Sequence, residues 1–280
     1  MFKLNYVNNK RPVFKKSIND KKRPAFIRYA MKRANETDVA RNELNYTIIP
    51  INTKTGQPIK RFRRLNEHRA RAMRAMVQAM LYNFNIASNL VMASVEQLSD
   101  SCGLSTISKA GNKSITRASR LITDFMEPMG FIKCVKIWDP LLGSYIPKMI
   151  SLNPLFFMLF GITSESLNKA KNAQLNWINN NLLNKGLSPT NFKKIKKNAK
   201  KEHIKRALKH RNYKYHINNQ HKKANKITHL PEKDARLYIL NSIVKRYNSH
   251  ELNKMGPVEL RNKVNIEYCQ LRNIVINTKW

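Results

Sequence analysis

Acidic residues are scarce in this chain: 17 Asp and Glu stand against 53 Lys and Arg, leaving a formal net charge of +36 over 280 residues. The acids are also scattered. Polymerases and nucleases hold two metals on clustered carboxylates, so that chemistry has no donors here. Glycine occurs only eight times, too rarely for folds built on Gly-rich phosphate loops. Gly111-Asn112-Lys113-Ser114 superficially looks like the end of such a loop, but Thr106 stands where its first glycine belongs. The three cysteines, Cys102, Cys134 and Cys269, have no CxxC spacing. They read as reduced thiols of a cytoplasmic protein, not as a disulfide or metal framework. None of the seven histidines forms a His-x-His pair, which removes the metal pair of a rolling-circle nickase. The longest apolar run, Leu155 to Phe160, is far short of the ~20 residues of a membrane helix. The first 16 residues lack the apolar core of a secretory signal. These absences point to a protein that binds and assembles and is not an enzyme, with no cofactor, no metal and no membrane.

The cationic surplus asks for a polyanion to relieve its self-repulsion, and nucleic acid is the leading candidate. Asn occurs 34 times and Lys outnumbers Arg 34 to 19, as in proteins coded by AT-rich genomes. That drift does not explain the lack of acids. The charge is also uneven. Residues 1–65 carry 17 basic and 4 acidic side chains, residues 66–163 carry 10 and 6, and residues 164–280 carry 26 and 7. The expected organisation follows: a basic N-terminal arm over 1–65, a folded DNA-binding module over 66–163, and a basic helical region over 164–280 that could hold a second DNA-binding module.

Local patterns fill in these segments. The arm has a helix signal near 25–40 and a strand-pair signal, Tyr46 to Ile51 and Pro58 to Phe62. In the middle, Met73, Met76, Val77, Met80, Leu81 and Phe84 follow the spacing of one helix face. Ser94-x-x-Gln97 fits a capping box, with Gly103 placed to end that helix. Ser114 is positioned to cap a third helix, with Ile115, Ala118, Ile122, Phe125 and Met129 inward and Gly130 at its end. Phe131 to Trp138 and Tyr145 to Leu152 alternate as two strands around an Asp139-Pro140-Leu141-Leu142-Gly143 turn. Helix, helix, helix, hairpin is the order of a winged helix. The fold class expected is therefore mainly α with a small β component, a winged helix-turn-helix core flanked by basic helices. In the last segment Ser188-Pro189 reads as a cap and first turn, Pro231 begins another helix, and Pro257 begins a shorter one.

In a winged helix the third helix enters the major groove. Its outward face here begins with Lys113, Thr116, Arg117 and Arg120. Arg reads guanine through bidentate bonds to O6 and N7, so Thr116, Arg117 and Arg120 are the base-reading candidates. Lys109, Asn112, Lys113, Ser114 and the hairpin residues Lys133 and Lys136 are candidates for phosphate contacts, which position without specifying. Residues 193–226 hold 14 Lys or Arg and one acid, Glu202. Lys193, Lys196, Lys197 and Lys200 suit backbone neutralisation there, and Tyr213 and Tyr215 suit stacking on unpaired bases. An RNA-binding reading rests on charge alone, since no RRM signature and no GxxG loop is present.

Three stretches carry a family resemblance: Ala110-Gly111-Asn112-x-Ser114-Ile115-Thr116-Arg117-Ala118, then Met129-Gly130-Phe131-Ile132, then Asp139-Pro140-Leu141-x-Gly143-x-Tyr145-Ile146-Pro147. Together they resemble the RepA replication initiators of IncFII-type plasmids, in the Lys/Asn-rich version found on plasmids of AT-rich endosymbionts. The resemblance is clearest over 90–165. It implies a plasmid replication initiator that binds double-stranded origin DNA, helps open it, draws in the host initiator and helicase, and contributes to copy-number control. The competing expectation is a winged-helix transcriptional regulator, which would bind an operator without opening it.

Overall fold

The computed structural model describes residues 9–16, 22–60, 63–108, 112–139 and 144–278. The chain forms two compact units, residues 1–205 and 206–280.

The first unit is built around α3 (Glu67–Tyr82), which realises the expected apolar face up to Leu81; Phe84, read as its last member, lies beyond the helix end in a short strand and is buried there. Met73, Met76, Val77, Met80 and Leu81 are all completely buried. Asn66 caps it by accepting the Arg69 N–H at 2.9 Å. Against it packs α1 (Ala25–Glu36) through Ile27, Ala30 and Ala34. A polar bond fixes their register: buried Gln78 donates to the Met31 carbonyl at 3.1 Å and to Asn35 Oδ1 at 2.7 Å. Part of the expected N-terminal arm is thus built into the same core as the middle segment. Charges staple the two as well. Arg74 clasps Asp38 with two bonds of 2.7 and 2.8 Å, and Glu67 accepts from Arg74, Arg41 and Arg71.

The strand pair expected at 46–51 and 58–62 is largely replaced. Asn42 Oδ1 accepts the Leu44 N–H at 2.9 Å and starts a short helix, α2 (Leu44–Thr47). Only an Ile51–Pro58 bridge remains of the pairing, and Phe62 lies outside the described residues.

After α3 come β1 (Phe84–Asn85), β2 (Leu90–Val91), α4 (Val95–Ser101), β3 (Thr106–Ile107), β4 (Lys113–Ser114) and α5 (Thr116–Leu121). A π-helical turn, Ile122–Met126, extends α5. Next stand β5 (Ile132–Asp139), β6 (Ser144–Leu152) and α6 (Pro154–Met158). The capping box forms as expected: Ser94 and Gln97 each bond the other's backbone N–H, at 3.2 and 2.9 Å. Gly103 and Gly130 both take the left-handed backbone, with φ of +65° and +74°, that ends a helix cheaply only at glycine. The sheet runs β1-β2-β6-β5, with β2 against the inner end of β6 and β5 at the edge. The link between α4 and α5 is a small β3–β4 hairpin, longer than the tight turn of a simple helix-turn-helix.

Beyond the hairpin lie α7 (Ser164–Leu183) and α8 (Phe192–Thr228). The cap of α8 is Asn191, which accepts the Lys194 N–H at 2.9 Å, not Ser188. The reason is local: the Asn179 amide bonds both the N–H and the carbonyl of Thr190, holding that residue out of the helix. Ala199 of α8 closes a small cluster with Leu90 and Met149 on one face of the sheet.

The second unit packs the far part of α8 with α9 (Glu232–Val244), α10 (Ser249–Lys254) and α11 (Pro257–Thr278). Its core holds Ala224, Ile227, Ala235, Ile239, Ile243, Val264 and Leu271. The helix opened by Pro257 is long, 22 residues, where the sequence suggested a short one. Among the described residues, no helix is long and apolar enough to cross a membrane.

Candidate nucleic-acid interface

The candidate interface begins at the start of α5. Thr116 is exposed, and its hydroxyl lies 2.9 Å from Ser114 Oγ. Ser114 Oγ is also 3.4 Å from the Thr116 N–H, so the pair tightens the entry to the helix. Arg120 is exposed in the last turn of α5, free in geometry to face a ligand. Asn112 is exposed, and its backbone closes the β3–β4 hairpin by exchanging bonds with Ser108 of 2.9 and 3.0 Å. Lys109 lies outside the described residues.

Arg117 is placed differently from its helical neighbours. Its two terminal nitrogens donate to the backbone carbonyls of Asn9 and His68, at 2.9 and 2.8 Å. Burial first, and the charge of Arg71 second, lower its pKa. It therefore acts as a strut between α5, the first turn of α3 and the N-terminal segment. That segment is held at other points too. The Arg71 guanidinium donates to the Lys10 carbonyl at 3.1 Å, and the Lys15 backbone N–H donates to the Ser101 carbonyl at 2.9 Å. Phe14 rests on Tyr82, and Arg23 lies 4.1 Å over the same tyrosine ring. In this arrangement the Arg117 guanidinium is occupied by carbonyls, while Arg120 and Thr116 are the base-reading candidates that remain outward.

Lys113 is also engaged. Its Nζ donates to Asp100 at 2.6 Å and Glu96 at 3.0 Å. Burial works against its charge, but the two carboxylates win and its pKa is raised. It ties β4 to α4 and neutralises two of the few acids. Lys133 and Lys136 are exposed along β5.

Some basic residues beside α5 were not singled out from sequence. His68, Arg69 and Arg71 sit in the first turns of α3 next to Arg117, and burial, Arg117 and Arg69 together lower the His68 pKa. The only local signal was the Arg69-x-Arg71 spacing, which reads as an ordinary solvated helix face.

On α8, Lys193, Lys196 and Lys197 are exposed and Lys200 is half-buried beside Ala199. Lys196 stands at a cavity of about 500 Å³ that Lys171, Asn168, Ser88, Asn89 and Phe192 also line. Burial, followed by the charge of Lys196, lowers the pKa of Lys171. Two lysines share that mouth, an arrangement that favours an anion. Tyr213 and Tyr215 are about two-thirds exposed in the second unit. Among the described residues, no group of three or more His, Cys, Asp or Glu is arranged to hold a metal.

Comparison with known proteins adds identity to this geometry. No solved structure matches the chain. It is 58% identical to the "Probable replication-associated protein repA1" of Buchnera aphidicola from Schizaphis graminum, over 98% of this chain and 96% of that protein. It is 47% identical to the "Probable replication-associated protein repA2" of Buchnera aphidicola from Acyrthosiphon pisum, over 98% of each chain. A "Replication initiation protein" of Escherichia coli is 34% identical over 42% of this chain and 41% of its own length. The match to the family extends across residues 3–276, and the chain belongs to the IncFII RepA protein family.

Proposed function

We propose that this protein initiates plasmid replication by binding origin DNA, promoting its opening and bringing host replication proteins, the initiator and helicase, to it. The observation that carries the reading is the family match over nearly the whole chain, joined to relatives named for replication. In this reading α3, α4 and α5 with the β5–β6 hairpin form a winged helix. The element order and the β2-β6-β5 strand order support it. Thr116 and Arg120 read bases, Asn112, Ser114, Lys133 and Lys136 hold phosphates, and the lysines of α8 add sequence-independent affinity. Lys113 and Arg117 contribute by bracing α5. The protein works in the cytoplasm, as a binder and assembler without catalytic chemistry, and its abundance contributes to copy number.

The test is a footprint of the purified protein on its own replicon, at about 150 mM salt with excess competitor DNA. A discrete protected site whose thymines become permanganate-reactive is the expected result. A discrete site that stays fully paired would instead make the protein a transcriptional regulator. Uniform protection that vanishes with salt would overturn specific recognition.

A further inference from the structure

The β5–β6 hairpin carries a feature that the winged-helix reading does not use. Its inner end belongs to the core, where Ile132, Ile150 and Leu152 are buried. The register shifts between Val135 and Ile137, and beyond the shift Trp138 stands directly opposite Tyr145. Their rings meet edge to face, 5.0 Å apart at 73°. Yet Trp138 is 52% and Tyr145 57% exposed. Two large aromatics held together outside the core expose apolar surface at a cost, because pairing leaves half of each ring in water. Cross-strand pairing accounts for their mutual contact, but about half of each side chain remains exposed, open to an external flat apolar partner. The charge around the pair indicates which partner. Residues 132–152 contain Lys133, Lys136 and Lys148 against a single acid, Asp139, and Lys133 and Lys136 are exposed on β5. Aromatic faces among backbone-neutralising cations suit a nucleobase attached to phosphate.

We propose that Trp138 and Tyr145 form a stacking platform for a DNA base that has come away from its neighbour in the double helix. The inference rests on the DNA-binding reading and gives the hairpin a distinct task. The cations of the hairpin hold the backbone, and the ring pair takes up the face of an unstacked base in a melted strand. Stacking of this kind is indifferent to base identity, so the hairpin would favour opened DNA without choosing its sequence.

The experiment uses the full chain with Trp138 as its sole tryptophan, made by Trp177→Phe and Trp280→Phe. A single-stranded oligo-dT and a blunt duplex of equal length are titrated against it. Quenching of Trp138 emission by the single strand is expected. Trp138→Ala in the unaltered protein should weaken single-strand binding about 5- to 150-fold, the loss of one base–aromatic stack. Duplex affinity should change less than about twofold, and Trp138→Phe should restore most of the loss. An unchanged melting temperature in each variant shows that the fold is intact. Equal losses for single strand and duplex, or no loss and no quenching, would overturn the platform. If the unaltered protein binds duplex in either of those cases, the DNA-binding reading survives. If it binds neither form of DNA, that reading falls first and this inference with it.

Discussion

At the scale of single residues, the decisive finding is that two neighbours on one short helix have opposite jobs. Arg117 is committed to the carbonyls of Asn9 and His68, while Arg120 is exposed. Hydrogen bonds to a charged group contribute about 1.5–3 kcal/mol each, and deleting one partner strands the other. Arg117→Ala should therefore lower stability by at least about 1.5–3 kcal/mol, the value of one such bond at this partly exposed site, and Arg117→Lys should rescue little, since an ammonium cannot bridge two carbonyls in a planar fork. Arg120→Ala should leave the unfolding midpoint unchanged and relax base choice instead, by about 1–3 kcal/mol of discrimination. Thermal melts beside binding to mutated sites would check both. A melt for Arg117→Ala that matches the unaltered protein would show that the strut is unimportant. Glu67 offers a second residue-scale check. Hydrogen bonds from Arg74, then Arg41 and Arg71, hold its carboxyl down at about 2, against 4.5 without them. A carboxylate with a lowered folded pKa stabilises the fold above its unfolded pKa and loses that contribution as pH falls through the folded value. The melting advantage of the unaltered protein over Glu67→Gln should thus be complete above about pH 5, then shrink between pH 4.5 and 2. A difference independent of pH would assign the effect of Glu67 to packing.

At the scale of elements, the stops and starts were the most legible feature. Ser94 with Gln97, and Gly103 and Gly130, act where the sequence placed them, because caps and left-handed glycines are decided within a few residues. Gly130 makes this testable. A methyl added there would meet only Leu155 Cδ1, at an ordinary 3.6 Å, so the cost of Gly130→Ala is backbone strain alone. A loss of about 1–2 kcal/mol in denaturant titration is expected. A neutral outcome would mean that the end of α5 tolerates another conformation. What escaped the sequence was long-range. The partners of Arg117 lie 49 and 108 positions away and are backbone carbonyls, which no side-chain pattern announces. Lys113 reads as a free cation until the fold brings Glu96 and Asp100 to it. The misread strand at 46–51 failed for the opposite reason. Its β-branched residues suggested extension, but the bond from the Leu44 N–H to Asn42 Oδ1, just upstream, turns the chain into a helical turn first. The candidate site was therefore legible in composition and position, and only the fold separates the bracing cations from the outward ones.

At the scale of the whole molecule, the question is how much of the +36 charge reaches a partner. Several acids are spent internally: Asp38, Glu67, Glu96 and Asp100 are all within 3.0 Å of a cation in the first unit. The surplus is concentrated instead on α8, where residues 193–226 carry 14 basic side chains and one acid. Each phosphate neutralised releases counterions, so the logarithm of affinity falls with the logarithm of salt at about 0.9 per phosphate on duplex DNA. If the protein covers about 6–10 phosphates, affinity should drop about 10³–10⁵-fold between 50 and 200 mM salt. Neutralising Lys193, Lys196, Lys197 and Lys200 together, as Gln, should lower that slope by up to about 3.6, and weaken specific and random sequences alike. The sequence-reading change, Arg120→Ala, should do the reverse: it lowers the ratio of specific to random affinity and shifts the slope by at most about 0.9. The two variants thus separate charge from readout in one salt titration. A slope that the four lysine changes leave intact would place the polyanion away from this part of α8, and the phosphate contacts would then have to come from the cations around α3, α5 and the β5–β6 hairpin.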